Sequence, residues 1–341
     1  MLKFEIDHNA PKPIYAQIIA NIEDRIASGK LKNNDAIPSM NDLAKDLGVS
    51  METVKKAYKI MRDKGTLVSS QGLGYFVRKK DADAPYRILL LFDKLSTYKL
   101  VLYRSLIAGI EKAADITIHV HNQDLDLFES LVGSALDKYD YYIVTPHFQD
   151  PDNARLLKVM SRIPNRKLLV LDKSVEGLEG NYGMVVQSFS EDAYNAISAN
   201  IERIRKYDDI HIISASDSMY HDVILKGMGK ALDEAGIKYD VVNRFLLESA
   251  RKGALFIVVG GQLDSEHFSI LRYAREKGLK LGGDIGIISY NDSPENEFIC
   301  DGLATMSTDF QEMGTTAAHM INSGTMVKVH NKFNLIPRSS L

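Results

Sequence analysis

The sequence predicts an α/β chain in two parts: a small, largely helical head ending in a two-stranded wing, and a larger body of parallel sheets covered by helices. Three observations point there. The first 80 residues hold helical periodicities broken by glycines and then two short β-prone runs around a polar tip. From about residue 86, apolar strand-like runs alternate with helical segments. Between the two, Arg78 to Pro85 is a polar, charged run with a proline, as a linker would be.

In the head, Ile14, Ile18, Ile22 and Ile26 recur every four residues and predict a helix from about Pro13 to Ser28, which Gly29 stops. A second helical pattern ends at Gly48, because glycine takes the left-handed backbone of a reversal cheaply. Ser50 can then cap a third helix, in which Thr53, Val54, Ala57, Tyr58 and Met61 recur at three- and four-residue spacing. Val54, Ala57 and Met61 face inward on it, leaving Met51, Glu52, Lys55, Lys56 and Lys59 outward. Such a lysine-rich face beside a capped N-terminus suits a phosphate backbone, although an ordinary solvated face has the same pattern. Downstream, Gly65–Val68 and Gly74–Val77 read as two strands around the tip Ser69–Leu73. Helix, turn, helix and wing make a winged helix-turn-helix over residues 1–78, with a linker at 79–85 and the body at 86–341.

Over Pro13 to Val77 the chain resembles the GntR family of bacterial transcription regulators. The matching residues are Pro13-Ile14-Tyr15 with Gln17, Ser28-Gly29-Lys30-Leu31, Ile37-Pro38-Ser39, Leu43-Ala44, Leu47-Gly48-Val49-Ser50, Thr53-Val54, Ala57-Tyr58, Gly65 and Gly72-Leu73-Gly74-Tyr75-Phe76-Val77. The resemblance implies a homodimer on a palindromic double-stranded DNA operator. Its contacts would come from Ser39, Asn41, Ser50, Met51, Glu52, Thr53, Lys55 and Lys56, with Gln71, Gly72 and Gly74 of the wing. Asn41 and Met51 stand where the family usually has arginine. Asparagine suits adenine edges and methionine a thymine methyl, so an operator rich in A·T at those contacts is expected.

Charge divides the chain the same way. Residues 1–80 hold 14 Lys+Arg against 9 Asp+Glu, and the remainder 28 against 36, which puts a basic head on an acidic body. A length of 341 residues suggests two or three domains. No apolar run reaches the roughly 20 residues that span a bilayer, and the N-terminus lacks a signal pattern, so a cytoplasmic protein with no membrane partner is expected. The single cysteine, Cys300, excludes an intrachain disulfide and a cysteine zinc cluster and is expected to be a small buried residue. His119 and His121 lie two apart on a strand with no third ligand near them in sequence, so neither metal nor cofactor is expected.

In the body, strands are expected at Arg87–Phe92, Ile116–Val120, Tyr141–Val144, Leu168–Leu171, Ile210–Ser214, Leu255–Val259 and Ile285–Ser289, and helices at Tyr103–Ala114 and Phe128–Lys138 among others. Strands apolar throughout argue for parallel sheets buried on both faces, and there are enough for two. The segment from Ala84 on resembles the sensor domain of lac-repressor-like regulators and periplasmic sugar-binding proteins. That likeness rests on Leu89-Leu90-Leu91, Gly109-Ile110-Glu111-Lys112-Ala113-Ala114, Leu169-Val170-Leu171-Asp172-Lys173, Lys226-Gly227-Met228, Gly283-Asp284-Ile285-Gly286-Ile287-Ile288-Ser289-Tyr290-Asn291-Asp292 and Leu303-Ala304-Thr305-Met306.

The resemblance implies a type I periplasmic-binding-protein-like fold of two lobes, about 86–187 with 307–324 and 188–303 with 325–337, joined by three crossovers. Its ligand would sit between the lobes at the carboxyl ends of the strands. Strand-end candidates are Asp93, Tyr98, Lys99, His147 and Asp172 in the first lobe and Phe189, His221, Asp222, Asn291 and Asp292 in the second. Each has a plainer alternative: Asp172 as a loop cap, Phe189 and Tyr98 as core or hinge, His221 and Asp222 as surface loop. Gly260-Gly261-Gln262 replaces the usual Asn-Asp.

The implied function is a dimeric repressor of a sugar-utilisation operon, released when a monosaccharide or sugar derivative binds. A sugar-processing enzyme using a pair such as Asp172 and Asp292, or a DNA binder indifferent to ligand, are the alternatives. The sequence contains no nucleophile elbow, P-loop or His-Glu-x-x-His motif, which argues against an enzyme.

Overall fold

A computed structural model of the chain describes residues 6–8, 10, 12–70, 74–78, 84–149, 152–214, 220–260 and 265–341. The head is built from α1 (Ile14–Ala27), β1 (Ala36–Ile37), α2 (Met40–Leu47), α3 (Met51–Asp63), β2 (Leu67–Ser70) and β3 (Gly74–Val77). Ser39 and Ser50 cap α2 and α3 by accepting the backbone N–H of Asp42 and Thr53, and Gly48 between them takes the left-handed conformation at φ 63°. Val54, Ala57 and Met61 are buried as expected, against Ile18, Ile22, Leu43 and Leu67. Tyr58 is buried with them, its hydroxyl donating to the Pro38 carbonyl at 2.8 Å. β2 and β3 pair as an antiparallel hairpin, and β1 adds a third strand on the other side of β3.

The body opens with β4 (Tyr86–Phe92), α4 (Thr97–Gly109), β5 (Ala114–Val120), α5 (Leu125–Ala135), β6 (Tyr141–Val144), α6 (Asn153–Met160), β7 (Leu168–Asp172) and β8 (Gly183–Val186). It continues with α7 (Ser190–Ala199), α8 (Ile201–Ile204), β9 (Asp209–Ile213), α9 (His221–Glu234), β10 (Tyr239–Val242), β11 (Ala254–Val258), α10 (Ser265–Lys277), β12 (Gly286–Tyr290), β13 (Ala304–Thr308), α11 (Phe310–Ser323), β14 (Lys328–His330) and β15 (Phe333–Ile336). Two six-stranded sheets result, in the orders β14-β8-β7-β6-β4-β5 and β10-β9-β11-β12-β13-β15. Every pairing in them is parallel except β13 with β15. Helices α4 and α11 cover one face of the first sheet and α5 and α6 the other; α7 and α9, then α10, do the same for the second. With both faces covered, β7, β11, β12 and β13 are buried at every position and show no alternation.

The chain passes between the sheets after β8, after β13 and after β14. The last crossing differs from expectation: Lys328–His330 pairs with Met184–Val186 of the first sheet, so the return falls beyond residue 330 and not at 325. Thr308 likewise ends a second-sheet strand, where the expectation placed it in the first lobe. Two helices are displaced toward the N-terminus because their caps lie upstream. Ser96 caps α4, and Asp124 accepts the N–H groups of Asp126 and Leu127 at the start of α5. Cys300 is exposed, in left-handed backbone at φ 53°, and not buried.

Candidate nucleic-acid interface and interlobe cleft

On the head, Asn41 lies in the first turn of α2 and Met51 opens α3, both exposed. Lys55 pairs with Glu52 at 3.2 Å, two exposed side chains whose link a phosphate can break at little cost. Lys56 is also exposed, but its ammonium sits 3.9 Å from the Tyr15 ring centroid, which ties it to α1. The hydroxyls of Ser39 and Ser50 are committed to capping, and Thr53 Oγ1 joins the Ser50 hydroxyl at 2.8 Å, so these three set the helix starts. Gly74 has φ 101°, open only to glycine at low strain; Gln71 and Gly72 lie outside the described residues.

The cleft is built at strand ends. β7 ends in Asp172 at φ 76°, and both Phe189, after the first crossover, and Asn291, after β12, are non-glycine residues in the positive-φ region. Such backbone is costly and persists where packing and hydrogen bonds over-determine it. Around Asp172 the bonds are explicit: Oδ2 accepts from His147 Nε2 at 2.9 Å, and Oδ1 from the Gln187 amide. Burial alone would lift this carboxyl, but His147, Lys99 and Gln187 hold it well below the usual carboxylate range. Burial in turn pushes the His147 imidazole down against the pull of Asp172. Neutral, it donates from Nε2 and accepts at Nδ1 from the Tyr220 hydroxyl, 2.5 Å away.

Tyr220 belongs to the second lobe, so this hydrogen bond spans the cleft. Its ring stacks on Phe189, centroids 4.3 Å apart and planes within 10°, and the Lys173 ammonium stands 5.1 Å from the ring. On the second lobe, Tyr290 packs against Phe333 with ring centroids 5.7 Å apart, and burial, then Asp192, Asp172 and Tyr98, push its phenol far up. These contacts bring His147, Asp172, Phe189 and Tyr220 together, while Tyr98 is buried in the first-lobe core, stacked on Phe310 at 4.7 Å, and Asn291 donates its backbone N–H to the Met306 carbonyl.

The other expected residues are placed differently. Lys99 and Asp93 are each 1% exposed and bond to one another, with the Thr145 hydroxyl also donating to Asp93 at 2.7 Å, so they form an internal ion pair. Asp292 accepts both terminal nitrogens of Arg338 at 2.8 Å, which commits its carboxylate to an ion pair. His221 bonds Ser214 within its own lobe, and the Asp222 side chain is 99% exposed. Thr145, Gln187, Tyr220 and Tyr290 escaped sequence reasoning. Thr145 follows an expected strand and was within reach of the strand-end rule, whereas Gln187 follows β8, too short and glycine-led to read as a strand.

A spacing of two would put His119 and His121 on one face of a strand, but β5 ends at Val120, and His119 is exposed while His121 is fully buried. Its ring stacks on Phe148 at 4.7 Å and meets Phe128 edge-on. Among the described residues no group of three metal-ligating side chains occurs. Burial, partly offset by the Thr145 carbonyl, pulls His121 down to about 4. A histidine depressed on folding binds its proton in the unfolded chain first, so its neutral form is at no disadvantage above pH 6.5 and increasingly destabilises the fold below it. Acidifying from pH 6.5 to 5 is expected to cost roughly 2 kcal/mol through this residue. His121→Phe should flatten that part of the stability profile in urea melts; an unchanged slope would refute the assignment.

Comparison with known proteins fits this geometry. Residues 14–77 match the model of bacterial regulatory proteins, gntR family. Residues 205–340 match a periplasmic binding protein-like domain. The mannosyl-D-glycerate transport/metabolism system repressor MngR of Escherichia coli is 36% identical over 83 residues, 24% of this chain and 35% of that one. The repressor NagR of Bacillus subtilis is 34% identical over 89 residues, 26% and 37% of the two chains. This chain therefore spans only about a third of the length of these curated relatives. Among solved structures, the Escherichia coli repressor ascG superposes with TM-score 0.60 at 16% identity over 76% of this chain and 99% of that one. A dimeric lac repressor gives 0.58 at 16% over 74% and 98%. A head that matches the gntR-family model thus precedes a body with the lac-repressor, periplasmic-binding-protein-like fold.

Proposed function

We propose that the chain is a homodimeric transcription repressor of the cytoplasm that holds a palindromic operator through its gntR-family heads and releases it when a monosaccharide or sugar derivative binds between the lobes. The observation that carries this reading is the Asp172–His147–Tyr220 relay, whose second hydrogen bond crosses the cleft where a ligand in this fold would lie. A ligand inserted there must replace the Tyr220 contact, so it has different affinities for the two lobe spacings, which is what a population shift requires. Two heads must sit about one helical turn of DNA apart, near 34 Å, so a modest change in spacing weakens binding steeply.

The test is operator selection from random DNA with the full chain, followed by titration of the complex with neutral monosaccharides and their phosphates. Half-sites are expected to be A·T-rich opposite Asn41 and Met51, and Asn41→Arg with Met51→Arg to shift them toward guanine by about 1–3 kcal/mol per contact. Lys55→Ala should reduce the log–log salt slope by about 0.9 if its phosphate contact forms. A G·C-rich selected site, or a complex that no sugar disturbs, would count against the corresponding half of the proposal.

A further inference from the structure

The three crossovers between the lobes are not equal. The first leaves β8 at Val186 and enters α7 at Ser190, and the second leaves β13 at Thr308 and enters α11 at Phe310. The third is a hydrogen-bonded strand on both sides: β14 pairs with β8 in the first sheet, and β15, after two residues, pairs with β13 in the second. The two backbone ladders abut. Asn331 N–H donates to the Val186 carbonyl at 2.7 Å, one step beyond the pair His330–Val186. Asp309 N–H donates to the Lys332 carbonyl at 2.9 Å, one step beyond the pair Thr308–Phe333. The change of direction in this segment therefore falls on the single peptide between Asn331 and Lys332. Here a lobe rotation must be absorbed by the soft torsions beside that peptide, or else break one of the two rungs.

The Asn331 side chain spans that joint. Its amide nitrogen donates to the Thr308 hydroxyl at 2.8 Å and to the Asp309 carbonyl at 2.7 Å, both on the second crossover, while its own backbone N–H is fixed to the first. Both hydrogens of the amide are thereby used. Asn331 is 7% exposed and Thr308 2%, so losing these bonds would strand buried polar groups. Thr308 in turn donates to the Lys332 carbonyl at 3.1 Å, and Asp309 caps α11 by accepting the Glu312 N–H at 2.8 Å. On the other side, the Ser188 hydroxyl of the first crossover meets His330 Nδ1 at 3.1 Å. Among the described residues no hydrogen bond joins the first crossover directly to the second, so each is held through the third.

We infer that Asn331 is the positioning residue of the hinge: its amide braces the joint at 331–332, locks the three crossovers into one unit and sets the spacing of the lobes without touching a ligand. With the brace in place the lobes move as rigid bodies about one joint. Without it each crossover adjusts separately, and the spacing spreads over a range. The brace stands on the hydrogen bonds alone, whereas its effect on the heads rests on the function proposed above.

Asn331→Leu in the full chain tests this, since it nearly keeps the volume and removes both donors. Hydrogen exchange, read by mass spectrometry, should speed about 10-fold in peptides covering 186–190, 306–311 and 329–334 alike, and stay unchanged over 254–258 inside the second sheet. Thr308→Val removes one acceptor from the other side. Added to Asn331→Leu, it should cost less than it does alone, because the two substitutions break a shared interaction. Both variants are also melted. A uniform rise in exchange with a lowered melting temperature would make Asn331 an ordinary core contact and overturn the inference. A rise confined to 329–334 would overturn it as well. In the operator assay, a hinge that wanders should weaken binding by about 10-fold with the selected sequence unchanged, because the two heads lose their fixed separation. Faster exchange at all three crossovers with operator affinity unchanged would overturn the proposed transmission from lobes to heads and leave the brace standing.

Discussion

Lys99→Met is expected to destabilise the body by about 3–5 kcal/mol, because it strands a carboxylate in the interior. Asp93 and Lys99 are both 1% exposed, and with the ammonium gone Asp93 keeps, among the described residues, its exchange with Thr145: the hydroxyl to its carboxylate at 2.7 Å and its own N–H to the same hydroxyl at 3.0 Å. Desolvating a charge without a counter-charge costs far more than the pair contributes when intact, so the loss is larger than any measure of the bond itself. The control follows from the same physics. Asp93→Asn combined with Lys99→Met removes both charges and should recover most of the stability. Urea melts of the single and double variants check this. The competing view makes Lys99 a ligand contact. It predicts an unchanged melt for Lys99→Met with weakened effector binding, and that outcome would return Lys99 to the cleft.

Local rules made the head legible nearly residue by residue. Gly48 as a turn, Ser50 as a cap and the inward set Val54, Ala57 and Met61 are all short-range consequences of backbone geometry and 3.6-residue periodicity, and all three stand as read. The parallel strands of the body were legible for a related reason: runs such as Leu168–Leu171 are apolar on both faces. The short strands β8, β10, β14 and β15 carry three or four residues each at or near sheet edges, too few to show a period. For the cleft, strand ends pointed to Asp172 and His147, because position along a strand fixes where a side chain emerges. Sequence could not show that Asp93 would turn to Lys99, or Asp292 to Arg338, since both choices depend on partners brought close by the fold. Tyr290 stayed hidden for the opposite reason, since it closes the apolar run Ile285–Ser289 and reads as core, while Tyr220 lies in the polar run Ser214–Asp222, beyond a strand end, and stays unremarked until the facing lobe supplies His147.

Gly227→Ala should be strongly damaging to the second lobe. Gly227 lies inside α9, where a side chain would meet the N-terminal turn of α7: a Cβ there would stand 2.0 Å from the Ser190 carbonyl oxygen and 2.8 Å from its carbon. Both are backbone atoms and neither can rotate away, so the helices must separate. Helix propensity argues the other way, since alanine in a helix interior is favoured over glycine by about 1 kcal/mol. Packing wins because separation opens the buried contact that includes Ala193, Ile197, Met228 and Ala231. A net loss of more than about 3 kcal/mol is expected, enough to lower the melting temperature of the body by about 6–12 °C. The consequence reaches the cleft, because α7 follows Phe189 directly and α9 follows Tyr220, so the stack between those rings depends on how closely the two helices sit. Gly236→Ala, at the solvent-facing end of the same helix where nothing lies within 4 Å, supplies the comparison: its cost comes from its φ of 67° alone, about 1–2 kcal/mol. Equal melting temperatures for the two variants would show that the α7–α9 contact yields easily, and the tie between helix packing and the Phe189–Tyr220 stack would fall with it.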